Sequence, residues 1–146
     1  MSCLAAPPAL AQVEWAPLPA ALEAAEAESR PALVYVQAAW CGPCRRLERE
    51  TFADPAVQDR LRRFARARLT VDDRDRAHRV GPWRLSEAEW AAHYGAEAAP
   101  TLVLLAPDGT VLGRQSGSLS PSGLLPILDA VLAATAPAPP ADEARR

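Results

Sequence analysis

The chain has 146 residues and a net charge of −2, from 16 lysine or arginine and 18 aspartate or glutamate side chains. This length predicts one domain with an ordinary hydrophobic core. The nearly balanced charge gives no support for binding to nucleic acid or to an anionic membrane surface, and no stretch is long and apolar enough to span a membrane.

The N-terminal stretch is apolar and contains Ala9-Leu10-Ala11, which is typical of the cleavage site of a secretory signal peptide. Cleavage there would remove Cys3, one of three cysteines. We therefore expect an exported, periplasmic protein with a leader or signal-peptide remnant over residues 1–11; a leader on a cytoplasmic protein is the alternative. We expect one folded domain over residues 12–134 and a disordered Ala/Pro-rich tail over residues 135–146.

The first half of the chain carries both strand and helix patterns. Val13–Trp15 fits a short edge strand, and Ala32–Val36, which is apolar and partly β-branched, predicts a buried strand. Helices are expected over Leu18–Ser29, from Cys41 onwards, and from the Asp54-Pro55 cap to Leu61.

The second half alternates in the same way. Phe64–Val71 predicts a strand with one buried face, and the charged, aperiodic segment Asp72–Leu85 predicts a loop. The remaining elements are a helix from the Ser86/Glu89 capping box to Gly95, a hairpin of Thr101–Leu105 and Val111–Gln115 around Pro107-Asp108-Gly109, and a helix over Ser120–Ala134. This order predicts an α/β fold whose central mixed sheet, a βαβ unit plus a β-hairpin, has helices on both faces.

The segment Asp72–Leu85 also contains Trp83 among several arginines. An exposed aromatic side chain among arginines is typical of a surface that contacts a partner. A tryptophan that folds back over the core is the alternative.

The motif Trp40-Cys41-Gly42-Pro43-Cys44 lies between the strand Ala32–Val36 and a run of good helix formers. This position places Cys41 at a helix N-terminus, where unpaired N–H groups and the helix dipole favour a thiolate. Cys44 follows one turn later, close enough to close a small disulfide ring. The two residues predict a redox-active dithiol–disulfide pair that needs no cofactor.

Three alternatives compete with a redox role for Cys41 and Cys44. A purely structural disulfide is disfavoured, because so small a ring removes little entropy from the unfolded chain. A zinc site would need His78 and His93 as further ligands, but neither has ligand-like spacing and each is expected to be an ordinary surface histidine. We therefore expect no metal. A non-catalytic binding module that keeps the fold as a scaffold is the third alternative.

The Trp-Cys-Gly-Pro-Cys motif at the first strand–helix junction, in this order of elements, resembles the thioredoxin family over Leu18–Leu132. The resemblance implies a thioredoxin fold and a cis peptide bond between Ala99 and Pro100, in a loop that faces the disulfide. It also implies that a substrate chain pairs with the backbone of Ala99 and that Gly117 lines the same groove.

The same resemblance implies roles within the motif. Trp40, Gly42 and Pro43 would flank the reactive sulfur, while Cys41 attacks the substrate and Cys44 resolves the mixed disulfide. The Gly-Pro pair is similar to that of reducing thioredoxins, with a potential of about −270 mV against about −120 mV for the oxidant DsbA. We therefore expect a monomeric protein-disulfide reductase that acts on protein disulfides and takes electrons from an upstream thiol donor.

A narrower likeness covers Cys44–Glu48 and Thr51–Gln58. These stretches are similar to the sequence after the active site in the C-terminal domain of DsbD-type transmembrane reductant conductors. Because this chain keeps the Gly-Pro pair of thioredoxin and has no transmembrane stretch, the likeness implies a free-standing relative.

One position departs from the family pattern. Thioredoxins carry a buried aspartate six residues before the first active cysteine, thought to help move a proton from the second cysteine, and this chain has Tyr35 there. A tyrosine with a pKa near 10 is a poor base at neutral pH. Glu48 lies four residues after Cys44 on the same helix face, so we expect it to accept that proton, directly or through water. A solvated surface glutamate is the alternative.

Overall fold

A computed structural model describes residues 13–137 of the chain. The predicted leader with Cys3 and Ala9-Leu10-Ala11, and the part of the predicted tail after residue 137, lie outside the described residues. All structural statements below concern residues 13–137.

Five α-helices are present, and most of them begin at a residue that the sequence marks as a cap. They are α1 (Leu18–Glu28), α2 (Gly42–Arg46), α3 (Pro55–Leu61), α4 (Glu87–His93) and α5 (Pro121–Thr135). The Asp54 carboxylate accepts hydrogen bonds from the N–H groups of Ala56 and Val57, and it thereby caps α3. The helix predicted from Cys41 continues past α2 as a π-helical segment, Leu47–Thr51.

The central sheet has four strands in the order β2-β1-β5-β6. These strands are β1 (Ala32–Gln37), β2 (Ala65–Thr70), β5 (Thr101–Leu105) and β6 (Val111–Ser116). Strand β1 runs parallel to β2 and antiparallel to β5, which in turn pairs antiparallel with β6. A βαβ unit joined to an antiparallel hairpin is the predicted mixed sheet, and the fold class is confirmed.

Side chains of β1 alternate between two hydrophobic cores, one on each face of the sheet. Val34 and Val36 belong to the first core, which α1 and α4 cover. Leu33 and Tyr35 belong to the second core, which contains both motif cysteines and is covered by α2, α3 and α5. The prediction of helices on both faces is therefore confirmed.

The predicted edge strand over Val13–Trp15 is wrong. Only an isolated parallel bridge joins Ala16 to Ala67 at this edge, with the Ala16 N–H donating to the Arg66 carbonyl at 2.9 Å. The Glu14 carbonyl accepts a hydrogen bond from the Arg66 side chain at 3.2 Å, so the backbone pairing does not extend back from Ala16.

The predicted loop over Asp72–Leu85 is also wrong, because it contains most of a second, two-stranded antiparallel sheet. Its strands are β3 (Ala77–Val80) and β4 (Trp83–Ser86), joined through Gly81 and Pro82. Gly81 has a φ of +57°, a left-handed conformation that glycine adopts without strain. Val80 and Leu85 pack against the first core, while the adjacent Arg79 and Arg84 conceal this alternation in the sequence.

His78 is not the surface histidine that was expected. Its ring Nε2 lies 2.8 Å from the Glu87 carboxylate, and only 12% of the His78 side chain is exposed. The second Glu87 oxygen accepts from the Thr70 N–H at 2.8 Å. Trp90 donates its indole N–H to the His78 carbonyl at 2.9 Å, so polar bonds fasten the β3–β4 hairpin to α4 and β2.

Both reciprocal hydrogen bonds of the capping box predicted at the start of α4 are present. The Ser86 hydroxyl accepts from the Glu89 N–H, and the Glu89 carboxylate accepts from the Ser86 N–H, each at 3.1 Å. This hydrogen bond from the Ser86 backbone is the main reason that the pKa of Glu89 lies below its ordinary value of 4.5. A carboxylate with a lowered pKa contributes stability above pH 4.5, and the contribution is lost as pH falls through the folded-state value.

Replacing Ser86 by alanine should lower the free energy of unfolding by about 1 kcal/mol, because the first turn of α4 loses its side-chain acceptor. Glu89→Gln should destabilise the protein at neutral pH, and its difference from wild type should shrink in acid. Urea titrations of both variants at several pH values measure this. The control is Glu97→Gln at an exposed position; equal pH dependence in Glu89→Gln and Glu97→Gln would contradict the role of the box.

Candidate redox site

Cys41 and Cys44 form a disulfide at the start of α2, shortly after the end of β1. Their sulfurs are 2.12 Å apart and their Cα atoms 5.2 Å apart. Cys41 has an extended backbone and is the N-cap of α2, and its Sγ accepts a hydrogen bond from the Cys44 N–H at 3.1 Å. A donor aimed at this sulfur favours the charged thiolate in the reduced protein.

The two sulfur-bearing residues differ in their access to solvent. Cys41 is 8% exposed, whereas Cys44 is 1% exposed and faces the second core. Gly42 and Pro43 between them are exposed, and Trp40 is 95% exposed, so Trp40 is not a core residue. An incoming molecule therefore meets Cys41 before it can reach Cys44.

The peptide bond between Ala99 and Pro100 is cis, as predicted. Ala99 packs against the same core as the two cysteines. The Gly117 N–H donates to the Pro100 carbonyl at 2.8 Å, and Gly117 has a φ of +87°, which favours glycine. A hydrogen bond thus joins Gly117 to the Ala99-Pro100 loop, and Ala99 and both cysteines pack in one core.

Tyr35 lies in the second core with an isolated hydroxyl group. Its ring packs against Trp15 and Phe52, with centroids 5.3 and 5.2 Å away, and its side chain is fully buried. The hydroxyl has no hydrogen-bond partner among residues 13–137. Burial raises the pKa of Tyr35 far above its ordinary value, the charge of Glu48 raises it further, and Arg68 opposes the shift. The Tyr35 phenol therefore stays neutral and cannot serve as a base.

Glu48 is partly buried in the π-helical segment. It lines a cleft of about 330 Å³ together with Trp15, Phe52 and Arg68, and neither cysteine lines this cleft. Its negative charge nevertheless acts on the phenol of Tyr35, which belongs to the same core as Cys44. The role of Glu48 in proton transfer stays a prediction.

The zinc alternative finds no support in the described part of the chain. No group of three or more histidine, cysteine, aspartate or glutamate side chains there could hold a metal ion. The ring of His78 is engaged by Glu87, and exposed His93 packs against Trp90 and Tyr94 on α4.

Trp83, at the tip of the β3–β4 hairpin, is 65% exposed and so does not fold back into the core. It lines an open groove of about 780 Å³ together with Trp90 and Tyr94. A role of Trp83 in contacting a partner stays a prediction.

A polar cavity that was not predicted from the sequence lies where β3 and α4 meet the carboxyl ends of β1 and β2. It is lined by Gln37, Arg68, Thr70, Arg76, His78 and Glu87. No spacing rule connects these residues, since they come from four segments: β1, β2, the start of β3, and α4. The only signal in the sequence was the density of arginine and histidine after Asp72.

The fold and the cysteine pair define a disulfide oxidoreductase of the thioredoxin-like class. The family model described as a thioredoxin-like domain matches residues 18–132, and the chain belongs to this family. A comparison with curated proteins found no match. No helix within residues 13–137 is long and apolar enough to cross a membrane.

Solved structures agree with this assignment. A thioredoxin from Thermus thermophilus is 28% identical, with a TM-score of 0.69, 86% of this chain and 92% of that chain being covered. A putative disulphide-isomerase from Bacteroides thetaiotaomicron is 27% identical, with a TM-score of 0.61 and coverage of 86% and 93%. A disulphide isomerase from Xylella fastidiosa Temecula1, 21% identical with a TM-score of 0.59 and coverage of 77% and 86%, shows the fold alone. The narrower likeness to DsbD-type proteins stays a prediction.

Removing the Tyr35 hydroxyl should not destabilise the protein. A buried hydroxyl without a partner costs desolvation free energy, so Tyr35→Phe should leave the free energy of unfolding unchanged or raise it by up to about 1 kcal/mol. Urea unfolding of the oxidised protein measures this, with Tyr94→Phe as the control for loss of a tyrosine hydroxyl elsewhere. A loss of more than about 1 kcal/mol in Tyr35→Phe alone would mean that the hydroxyl has a stabilising partner.

Proposed function

We propose that this protein reduces protein disulfides by thiol–disulfide exchange through Cys41 and Cys44. The observation that carries the proposal is the disulfide at the N-terminus of α2, in a core against which Ala99 of the cis Ala99-Pro100 peptide also packs. Family membership supports the same reaction class.

The reaction begins with the reduced pair. The Cys41 thiolate attacks one sulfur of a substrate disulfide, forms a mixed disulfide and releases the first substrate thiolate. The Cys44 thiol then loses its proton and attacks the Cys41 sulfur, which releases the second substrate thiolate and leaves the Cys41–Cys44 disulfide. Two electrons pass to the substrate. An upstream dithiol then reduces the Cys41–Cys44 disulfide by the same kind of exchange, and it is itself oxidised to a disulfide.

Exposure supports this division of roles. Cys41 is the more accessible sulfur and accepts the Cys44 N–H, so it is the nucleophile, while buried Cys44 is reached only by the neighbouring sulfur. A substrate chain would lie between two walls, one formed by Trp40, Gly42 and Pro43 and the other by Ala99, Pro100 and Gly117. An extended chain would pair with the backbone of Ala99 as an added strand.

Reduction is the proposed direction because the Gly42-Pro43 pair is similar to that of reducing thioredoxins. The electron donor is proposed to be a protein dithiol, and the protein is proposed to act as a monomer without a metal or an organic cofactor. An exported, periplasmic location is proposed, with the cytoplasm as the alternative; the support is the Ala9-Leu10-Ala11 sequence, which lies outside the described residues.

Reduction of insulin by dithiothreitol tests the proposal. Wild type should accelerate precipitation of the insulin B chain. Cys41→Ser should abolish this activity, because the attacking sulfur is gone. Cys44→Ser should lose turnover and accumulate a mixed disulfide on Cys41 that mass spectrometry detects. Cys3→Ser is the matched control and should keep full activity.

Two outcomes would contradict the proposal. An inactive wild type with an intact fold would favour the non-catalytic binding module. Stoichiometric zinc on the reduced protein would favour a metal site instead. If the proposal holds, the Cys44→Ser variant also identifies the partner, since the trapped protein stays covalently attached.

We further propose that Glu48 accepts the proton that Cys44 loses, directly or through a water molecule. Glu48 lies one helical turn after Cys44 and is partly buried. Its charge also acts on Tyr35, which belongs to the same core as Cys44. Tyr35 itself cannot take the proton, because burial keeps its phenol neutral.

Glu48→Gln should slow resolution of the mixed disulfide by about tenfold or more at neutral pH, because a positioned base is lost. The difference should disappear in alkaline solution, where Cys44 ionises without help. The rate of resolution across pH measures this. The matched control is Glu50→Gln, an exposed carboxylate in the same segment; the idea is wrong if both variants share one pH profile.

A further inference from the structure

A second cavity lies at the carboxyl ends of the parallel strands β1 and β2, where Gln37 and Thr70 are paired in register. Its volume is about 450 Å³, within the range of small-molecule sites. The segment Trp15–Pro17 forms an apolar wall, and most of the remaining lining is polar or charged. Neither cysteine lines this cavity, although Trp15 and Arg68 line both it and the cleft that contains Glu48.

The one carboxylate in the cavity is already engaged. Glu87 is nearly fully buried, with one oxygen 2.8 Å from the Thr70 N–H and the other 2.8 Å from the His78 ring. These bonds hold the floor of the cavity in place. They also leave Glu87 poorly placed to neutralise the cations around it.

Two guanidinium groups line the cavity without an ion pair. The side chains of Arg68 and Arg76 are exposed, and neither forms a salt bridge or a hydrogen bond to a residue within 13–137. The charge of Arg76 helps to lower the pKa of Asp73, but the two side chains form no ion pair. The Asp73 carboxylate instead accepts hydrogen bonds from the backbone N–H groups of Asp75 and Arg76. Within the cavity lining, two guanidinium groups therefore face one carboxylate that is already engaged, while Glu48 lines a neighbouring cleft with Arg68.

The Thr70 hydroxyl adds a neutral hydrogen-bond donor to the two guanidinium groups. Gln37 donates its amide N–H to the Thr70 hydroxyl oxygen at 2.8 Å, which leaves the hydroxyl hydrogen of Thr70 to donate to another group. Two guanidinium groups and a hydroxyl donor are the chemistry that recognises a tetrahedral oxyanion, because guanidinium groups bind phosphate oxygens in pairs.

We propose that this cavity binds a small molecule through its phosphate or sulfate group, with Arg68 and Arg76 holding the anion. The Thr70 hydroxyl donates a further hydrogen bond. The Trp15 side chain packs against the organic part of the ligand, because it forms the apolar wall of a cavity larger than one anion requires.

The two histidines of the chain provide a reporter and an internal control. His78 lines the cavity, whereas His93 lies on the exposed side of α4 and does not line it. Inorganic phosphate is added to the full chain at constant pH and ionic strength, and the ring signals are followed by nuclear magnetic resonance. The His78 signals should shift to saturation while those of His93 stay constant. Phenyl phosphate should bind more tightly than inorganic phosphate.

Substitution of the arginines tests the assignment. Arg76→Gln and Arg68→Gln should each weaken phosphate binding by about tenfold. Arg84→Gln removes the same charge from an exposed position that does not line the cavity, and it should bind phosphate like wild type. Circular dichroism establishes whether each variant is folded. If Arg68→Gln does not fold, Arg76→Gln alone decides the test.

Three results would overturn the proposal. Equal shifts of His78 and His93 would mean that phosphate acts only by general screening. Equal weakening by Arg84→Gln and Arg76→Gln would mean that the bound charge is not in the cavity. Acetate binding as tightly as phosphate would exclude a site built for tetrahedral oxyanions. None of these readouts involves the cysteines, so they are independent of the insulin assay.

Discussion

Strand β1 is buried on both faces and paired along both edges, and the placement of the redox site depends on this constraint. A strand held in this way has no freedom to slip, because a shift of one residue would turn its valines and Tyr35 to the wrong core. The chain that leaves its carboxyl end therefore delivers Cys41 to one defined point. There α2 begins, and the N–H of Cys44 meets the sulfur of Cys41.

The environment of the disulfide is apolar on its inner side and open on its outer side. Cys44 packs into a core with Tyr35, Leu47 and Phe52, while Trp40 stands in solvent. A thiol on the inner side is costly to ionise, because a desolvated charge lacks the stabilisation of water. Exchange chemistry at such a site requires a proton acceptor at the edge of the core. With the Tyr35 phenol held neutral, Glu48 is the carboxylate whose charge reaches that region.

Much of the fold could be predicted from the sequence, because its signals are local. The caps at Asp54, Ser86 and Ser120 start helices where expected, and the apolar strands β1 and β5 lie where their composition places them. The β3–β4 hairpin could not be predicted in this way. Its strands are short and their outer faces carry arginine, so burial of Val80 and Leu85 becomes visible only once α4 and the first core are in place.

The reactive pair, the helix that begins at it and the family of the chain can be read from the amino-acid sequence, since each rests on neighbouring residues or on one continuous pattern. The side chains around that pair and the identity of the buried polar groups become visible in the folded chain. Trp40 proved exposed, His78 proved bonded to Glu87, and a polar cavity formed from five segments of chain. These outcomes depend on contacts between residues far apart in sequence, which no local spacing encodes.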